Sequence, residues 1–323
     1  MAALSAAEPD RVWEVVSHLP RDRNTLIHFG SLWVGALLLP KVPAGRSVVQ
    51  TIFHGDPDDP VFRDAFATVK RHRHRIDKIV LSCRTMERRL LVDGWSAEQL
   101  CVVPLGVDLS AFRPTDQVEK ARRRAEIGLP PDCFCVGSFQ KDGSGWGDGD
   151  EPKLIKGPDV LVAALAGLQD RLAGRQGLHV LLTGPSRGYV MKRLREIGIP
   201  FSHAFLDDAD ALSGYYQALD AYIIPAREEG GPKSMLEAWA SGIPVVSTGV
   251  GMALDHLVDD ENGLLCPVGD DVALARGLAR LWKDPTLGGK LAQAGLEAAK
   301  GFDWRNIALR YRTEVYGKLS RSR

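Results

Sequence analysis

An excess of charge of either sign, a cysteine framework and a long apolar run are all missing from this sequence. Its 323 residues carry 41 lysines and arginines against 41 aspartates and glutamates. A protein that lives on nucleic acid phosphates shows a basic excess, so nucleic acid is not expected as the main partner. The five cysteines (Cys83, Cys101, Cys133, Cys135 and Cys266) are odd in number and have no framework spacing. Cys133 and Cys135 alternate along an expected strand and lack the spacing of a redox or zinc pair. Free thiols in a reducing cytosol are the expectation. The longest apolar stretch, Leu26–Pro40, is interrupted by His28 and ends too early to cross a bilayer, which leaves a strand running into a buried helix. The start, MAALSAAEPD, has no basic n-region and no apolar h-region, so no secretory leader is expected.

What is present suits a soluble globular protein, with 45% hydrophobic and 25% charged residues. A chain of this length is expected to form about two domains. In the rear half, Cys133–Phe139, Val180–Thr183, Phe201–Leu206, Ala221–Pro225 and Pro244–Ser247 read as strands, with helical segments between several of them. Leu26–Phe29, Val48–Phe53, Lys78–Ser82 and Val102–Pro104 repeat that rhythm in the front half. The alternation predicts an α/β protein with parallel, doubly wound sheets. Thr115–Pro131, charged at first and Pro-bearing at its end, is the expected boundary. It sets a front domain over 1–115, a rear domain over 116–301 and a terminal helix within 302–323.

The densest chemistry lies in Arg227–Thr248, REEGGPKSMLEAWASGIPVVST. A buried strand precedes it. Pro232 suits a first helical position, because its missing N–H is not needed there. The helix continues from Ser234 to Ala240 and ends at Gly242. Glu229 falls before this helix and Glu237 inside it. Between them lie the free N–H groups of a helix N-terminus, which attract anions, with Lys233 adding charge. Gly230 and Gly231 allow a ligand close to the backbone. A carboxylate, an anion site and a second carboxylate, in that order, fit a molecule with hydroxyls, then phosphates, then hydroxyls again. That describes a nucleotide sugar.

Glu229-x7-Glu237 followed by AWASGIPVVS closely resembles the donor-site signature of retaining GT-B glycosyltransferases of family four, the group 1 glycosyl transferases. The resemblance extends through Asp255, Glu261–Leu265, Lys156–Ala163, Thr51–Asp56, Val103–Pro114 and the terminal FDWRNIALRYRTEVY, most of the chain from Leu26 onward. It implies two Rossmann-like domains facing across a cleft, with the last helix, Trp304–Lys318, bracing the front one. The implied reaction moves a hexose from a UDP- or GDP-sugar to a hydroxyl of a glycan or lipid-linked acceptor, with anomeric retention. No metal and no cofactor are implied, and Asp207-Asp208 and Asp259-Asp260 read as turn residues. Glu229 would contact hydroxyls of the transferred sugar, and Glu237 the nucleoside ribose. Lys156 would contact the diphosphate, with Gly230, Gly231, Lys233 and Ser234 lining the donor turn. His54, in a strand-end HGD, would stand beside the sugar after domain closure. Asp56 and Asp58 read either as acceptor contacts or as loop caps.

Three places depart from the family pattern. Gly230-Gly231-Pro232 replaces a Gly-aromatic-Gly order, and Pro232 has no N–H to donate. Gly137-Ser138-Phe139 stands where the family carries an arginine, which leaves Lys141 as the substitute charge. The front domain lacks its usual opening strand and Gly-rich turn, with Arg11–Pro20 serving as its first helix. The front domain is therefore expected to be abbreviated, or completed by a partner. Two alternatives stay open: a nucleotide-sugar epimerase of the same fold, and a donor-binding partner subunit without activity of its own. Asp142–Glu151 fails as a calcium loop, because Trp146 and Lys153 occupy ligand positions. It is expected to be a mobile insertion with Trp146 as a lid. Lys70–Arg75 reads first as a solvated helix face, and otherwise as a patch for an anionic lipid surface. The protein is expected in the cytoplasm, with peripheral contact at the inner membrane face as the variant of that expectation.

Overall fold

The computed structural model describes residues 19–20, 25–145, 147–172, 177–206 and 208–319. Residues 11–18 of the expected first helix, Trp146 and Asp207 lie outside the described residues. The chain divides into two compact units, one running to Gly106 and resuming at Trp304, the other spanning Val107–Asp303.

The front unit alternates β1 (Ile27–Phe29), α1 (Leu32–Leu38), β2 (Val48–Ile52), α2 (Pro60–Arg71), β3 (Lys78–Leu81), α3 (Arg84–Val92) and β4 (Leu100–Val102). Its four strands pair in chain order, all parallel. The expected last strand falls two residues early, at Leu100–Val102 rather than Val102–Pro104. Val103 still joins the sheet's core through its N–H, which donates to Leu81 O at 2.8 Å. Chain from the far end completes this unit. Beyond Asp303 come α4 (Trp304–Arg310), a π-helical stretch over Tyr311–Tyr316 and a last short turn. Ile307, Val315 and Tyr316 bury themselves with Val49, Val80 and Val103. The expected single helix is thus interrupted, and both Tyr311 and Tyr316 bring their rings against His28. The two tyrosine rings also lie 5.9 Å apart. Such π-helical turns are uncommon insertions in helices.

The rear unit runs α5 (Gln117–Ile127), β5 (Phe134–Ser138), α6 (Pro158–Leu172), β6 (Leu178–Thr183), α7 (Gly188–Glu196), β7 (Phe201–Ala204), α8 (Ala209–Gln217), β8 (Ala221–Ile224), α9 (Lys233–Ala240), β9 (Val245–Thr248), α10 (Gly251–His256), β10 (Leu264–Cys266), α11 (Asp271–Lys283) and α12 (Pro285–Ala299). The strands pair in the order β10-β9-β8-β5-β6-β7, all parallel. β5, β6, β8 and β9 are buried along their whole length, as a parallel sheet covered on both faces requires. The helices start where the sequence supplies caps. Asp116, Asp270 and Asp284 each accept a first-turn N–H, and Pro285 occupies the first position of α12.

Residues 107–115, assigned to the front domain from sequence, make their contacts in the rear unit. Val107 N–H donates to Phe302 O at 2.8 Å, and the Ser213 and Gln217 side chains donate to Ala111 O and Arg113 O. The charged stretch within the expected boundary, Gln117–Ile127, is α5. Its Arg124 reaches Asp220 at 2.6 Å and the carbonyls of Ala218 and Cys133.

Candidate functional site

The rear sheet reverses its direction of growth between β5 and β8. Ligands of open α/β sheets bind outside the carboxyl ends of the strands at such a switch point. Two loops leave the sheet there: 139–157 after β5, and 225–232 after β8.

The second loop carries the predicted carboxylates and is fastened on both sides. Arg227 and Glu228 donate their backbone N–H groups to Ile155 O at 2.8 and 3.0 Å. The Arg227 guanidinium grips Asp159 through two bonds of 2.7 and 2.6 Å. On the other side Met252 N–H donates to Gly230 O at 3.0 Å. Thr248 Oγ1 donates to Ala226 O at 2.6 Å. Helix α9 starts at Lys233, with Pro232 as its cap in a non-helical conformation (ψ 89°), one residue later than expected. Gly242, at φ 70°, follows its last turn.

Glu229 is ion-paired with Lys156, both side chains being largely buried. The structure thereby joins two residues that the sequence assigned separately, to sugar and to diphosphate. Glu237 is only 5% exposed. Its Oε2 accepts the Tyr216 hydroxyl at 3.0 Å, and its Oε1 pairs at 2.8 Å with Lys233, which is itself half exposed. Tyr216 stacks edge-on against Phe139 and lies beside Tyr222, whose hydroxyl accepts Phe139 N–H at 2.9 Å. Burial pushes the Tyr222 phenol up to about 12 and Tyr216 well above its ordinary value, so both remain neutral hydrogen-bonding groups. Ser234 lies in the first turn of α9, and its carbonyl faces the Tyr216 hydroxyl at 3.4 Å.

The first loop is tied down rather than free. Gly143 and Pro152 form an antiparallel bridge, and Ser144 N–H donates to Glu151 O at 2.8 Å. Gly188 and Tyr189, at the start of α7, donate to Asp148 O and Gly149 O at 2.7 and 2.9 Å. Ser186 Oγ, held at a positive φ of 57°, donates to the carbonyls of Gly145 and Gly147. The glycines are needed for contact: a Cβ on Gly143 or Gly149 would fall 2.3 Å from Ser186 backbone atoms. The expected mobile insertion is therefore a compact loop packed on α7.

Sequence reasoning missed the group beneath it. Arg187 and Asp142 form a fully buried ion pair, Nε to Oδ1 at 3.0 Å, angled so that neither carboxylate oxygen receives a linear hydrogen bond. Arg187 also donates to Ser138 O at 2.6 Å and Thr183 O at 2.9 Å. An arginine does stand at the end of β5, but it arrives from the loop after β6 and faces no solvent. Burial raises the Asp142 carboxyl above the ordinary range, and Arg187 opposes that rise. Lys141 precedes this pair and is half-buried. Lys153, also unassigned from sequence, caps the turn that carries Lys156.

In the front unit, His54 follows β2 and packs edge-on against Phe62 at 5.6 Å. Gly55 beside it adopts φ 121° and leaves no room for a Cβ against the same ring. Asp56 accepts Asp58 N–H at 3.0 Å and lies 3.5 Å from Arg89, a loop-capping arrangement. The basic run Lys70–Arg75 is not one helix face. α2 stops at Arg71, Lys70 pairs with Asp93 at 2.6 Å, and Arg75 donates to Val42 O at 2.5 Å. Asp208 caps α8, while Asp259 accepts Leu265 N–H and Asp260 pairs with Arg280. None of the five cysteines is in a disulfide among the described residues. No helix among the described residues is long and apolar enough to cross a membrane.

Two parallel α/β units, the rear one with its acidic, lysine-bearing turn at the switch point, define the GT-B class of fold. Residues 150–284 match the family model of the glycosyl transferases group 1, and this part of the chain belongs to that family. Among solved structures, sucrose-phosphate synthase from Thermosynechococcus elongatus is similar at a TM-score of 0.73 and 23% identity, covering 92% of this chain and 74% of that one. Anabaena HepE, solved in complex with UDP-glucose, is similar at 0.72 and 20%, covering 90% of this chain and 76% of that one. Among curated relatives, the D-inositol 3-phosphate glycosyltransferase of Acidothermus cellulolyticus is 33% identical over 245 residues, and that of Nocardia farcinica 32% over 270 residues. These alignments take in 71% and 79% of this chain but 51% and 55% of the relatives, so the chain spans about half their length.

Proposed function

We propose that the protein is a retaining glycosyltransferase that moves a hexose from a UDP- or GDP-sugar to an acceptor hydroxyl without a metal ion. The observation that carries this reading is the placement of Glu229 and Glu237 on either side of one turn at the β5/β8 switch point, with Lys156 already paired to the first. Relatives named as D-inositol 3-phosphate glycosyltransferases and a fold neighbour bound to UDP-glucose support it. They also make a phosphorylated polyol an acceptor to test beside glycan and lipid-linked hydroxyls.

In this reading Tyr216 fixes the Glu237 carboxylate from the protein side. Lys233, half in water, can turn outward so that the ribose diol takes its place on the carboxylate. Glu229 orients sugar hydroxyls, and Lys156 beside it faces the leaving diphosphate. The diphosphate's charge is met by fixed cations and by the N-terminus of α9, which is electrostatic preorganisation rather than covalent catalysis. His54 belongs to the same reading as the group beside the transferred sugar.

The test is transfer from UDP-, GDP- and ADP-sugars to these acceptors, with the anomeric configuration of the product read by NMR and with EDTA present. Retained configuration and unchanged rate under chelation are expected. An inverted product, or activity lost to EDTA and restored by manganese, overturns the corresponding part of the reading. Conversion of the donor to its epimer with no acceptor present would replace it altogether.

A further inference from the structure

Lys153 has a half-buried side chain whose ammonium makes no hydrogen bond or ion pair among the described residues. Its position is set from two directions. Its N–H donates to Asp142 O at 2.8 Å, which fastens it beside the segment that carries Lys141. Its carbonyl accepts Lys156 N–H at 2.8 Å and opens the 3-10 turn Leu154–Lys156. That bond holds the Lys153 and Lys156 backbones at the two ends of one tight turn. Lys156 is already engaged with Glu229.

The charges whose fields reach the Lys153 ammonium are those of Lys156, Glu229 and Lys141. Burial first, and then the fields of Lys156 and Lys141, pull the Lys153 ammonium below its ordinary range, with Glu229 acting in the opposite sense. A half-buried cation facing other cations is unfavourable. A bound anion of more than one charge removes that cost, and the switch point of the sheet is where such a ligand is received.

We infer that Lys153, together with Lys156 and Lys141, forms the seat for the diphosphate of the nucleotide ligand, with Lys153 as its unpaired cation. The inference rests on the nucleotide-sugar reading and adds to it a residue that the family-like motif does not contain. It also answers how the site manages without an exposed arginine after β5, since Arg187 is sealed beneath the loop by Asp142.

The experiment measures binding of UDP, GDP and ADP, their monophosphates and inorganic pyrophosphate by calorimetry to the full chain and to Lys153→Met and Lys153→Arg. For the diphosphate that wild type prefers, Lys153→Met should weaken binding about tenfold or more, as loss of a charge-assisted contact does. The monophosphate should lose less, and Lys153→Arg should restore most of the affinity. Wild-type affinity should fall as pH rises through the lowered lysine range, a fall that Lys153→Met lacks. The unliganded melting temperature of Lys153→Met should equal or exceed that of wild type. Equal diphosphate affinity in wild type and Lys153→Met overturns the inference and leaves the donor reading standing. Failure of wild type to bind any of the three nucleoside diphosphates overturns the donor reading, and this inference with it. Binding of pyrophosphate as tight as that of the nucleotide keeps the seat but removes its attachment to a nucleoside.

Discussion

Glu237 is a carboxylate taken almost wholly out of water and kept usable by its two partners. The neutral Tyr216 hydroxyl bonds one oxygen from within the core, and Lys233 covers the other from the solvent side. Only the outer partner is within reach of solvent and of an incoming ligand. Glu237→Ala should therefore weaken nucleotide-sugar binding by about 1.5–3 kcal/mol, the range for hydrogen bonds to a charged group. Calorimetry on a folded variant checks it, and an unchanged affinity would remove the ribose contact. Glu229 differs, because its partner Lys156 is as buried as itself. Asp142 and Arg187 form a third kind of pair, sealed from solvent and joined to the ends of β5 and β6. That pair ties the loop after β5 to the strand ends, and neither side chain reaches solvent.

At the scale of elements, the candidate site is two loops held against each other by backbone contacts that leave no room for a side chain. Gly157 takes a left-handed φ of 65°, and a Cβ there would stand 2.0 Å from Pro225 O. Gly157→Ala combines left-handed strain of about 1–2 kcal/mol with a clash against backbone that cannot swing away. It should lower the melting temperature and cut nucleotide affinity together, because Lys156 and Glu229 lie on the two segments that must part. A variant with wild-type stability and affinity would show that the loops are not interlocked. The sequence made half of this visible. A carboxylate, a Gly-Gly-Pro turn and a second carboxylate eight positions on are local, and the strands before and after are short apolar runs. All five rear strands expected from the sequence fall within two residues of their observed bounds for the same reason. Pairings across distance were not visible: Lys156 with Glu229, or Arg187 with Asp142, join loops separated by whole strands and helices. The loop of residues 142–152 misled because its glycines read as freedom, whereas Gly143 and Gly149 serve close approach to Ser186. A lysine three residues before Lys156 was the one local clue to Lys153.

At the scale of the molecule, the front unit is built from both ends of the described chain. Ile307, Val315 and Tyr316 fill its core, His28 bonds the Tyr316 hydroxyl at 2.8 Å, and Arg310 donates to Val102 O at 2.8 Å. Truncation after Asp303 should therefore remove or markedly lower the front unit's melting transition. The rear transition and nucleotide binding should persist, as differential scanning calorimetry and titration would report. An unchanged melting profile would show that the terminal segment adds nothing. The same connectivity sets a timetable for synthesis. Domains of a nascent chain generally fold as units, the N-terminal one first, but here the front sheet lacks part of its own core until the segment after Asp303 has been made. The rear unit, although translated later, is finished earlier. For the whole interval in which Val107–Asp303 is being assembled, Val49 of β2 and Val80 of β3 wait for the partners that Ile307, Val315 and Tyr316 bring, and the front sheet offers a chaperone an apolar surface.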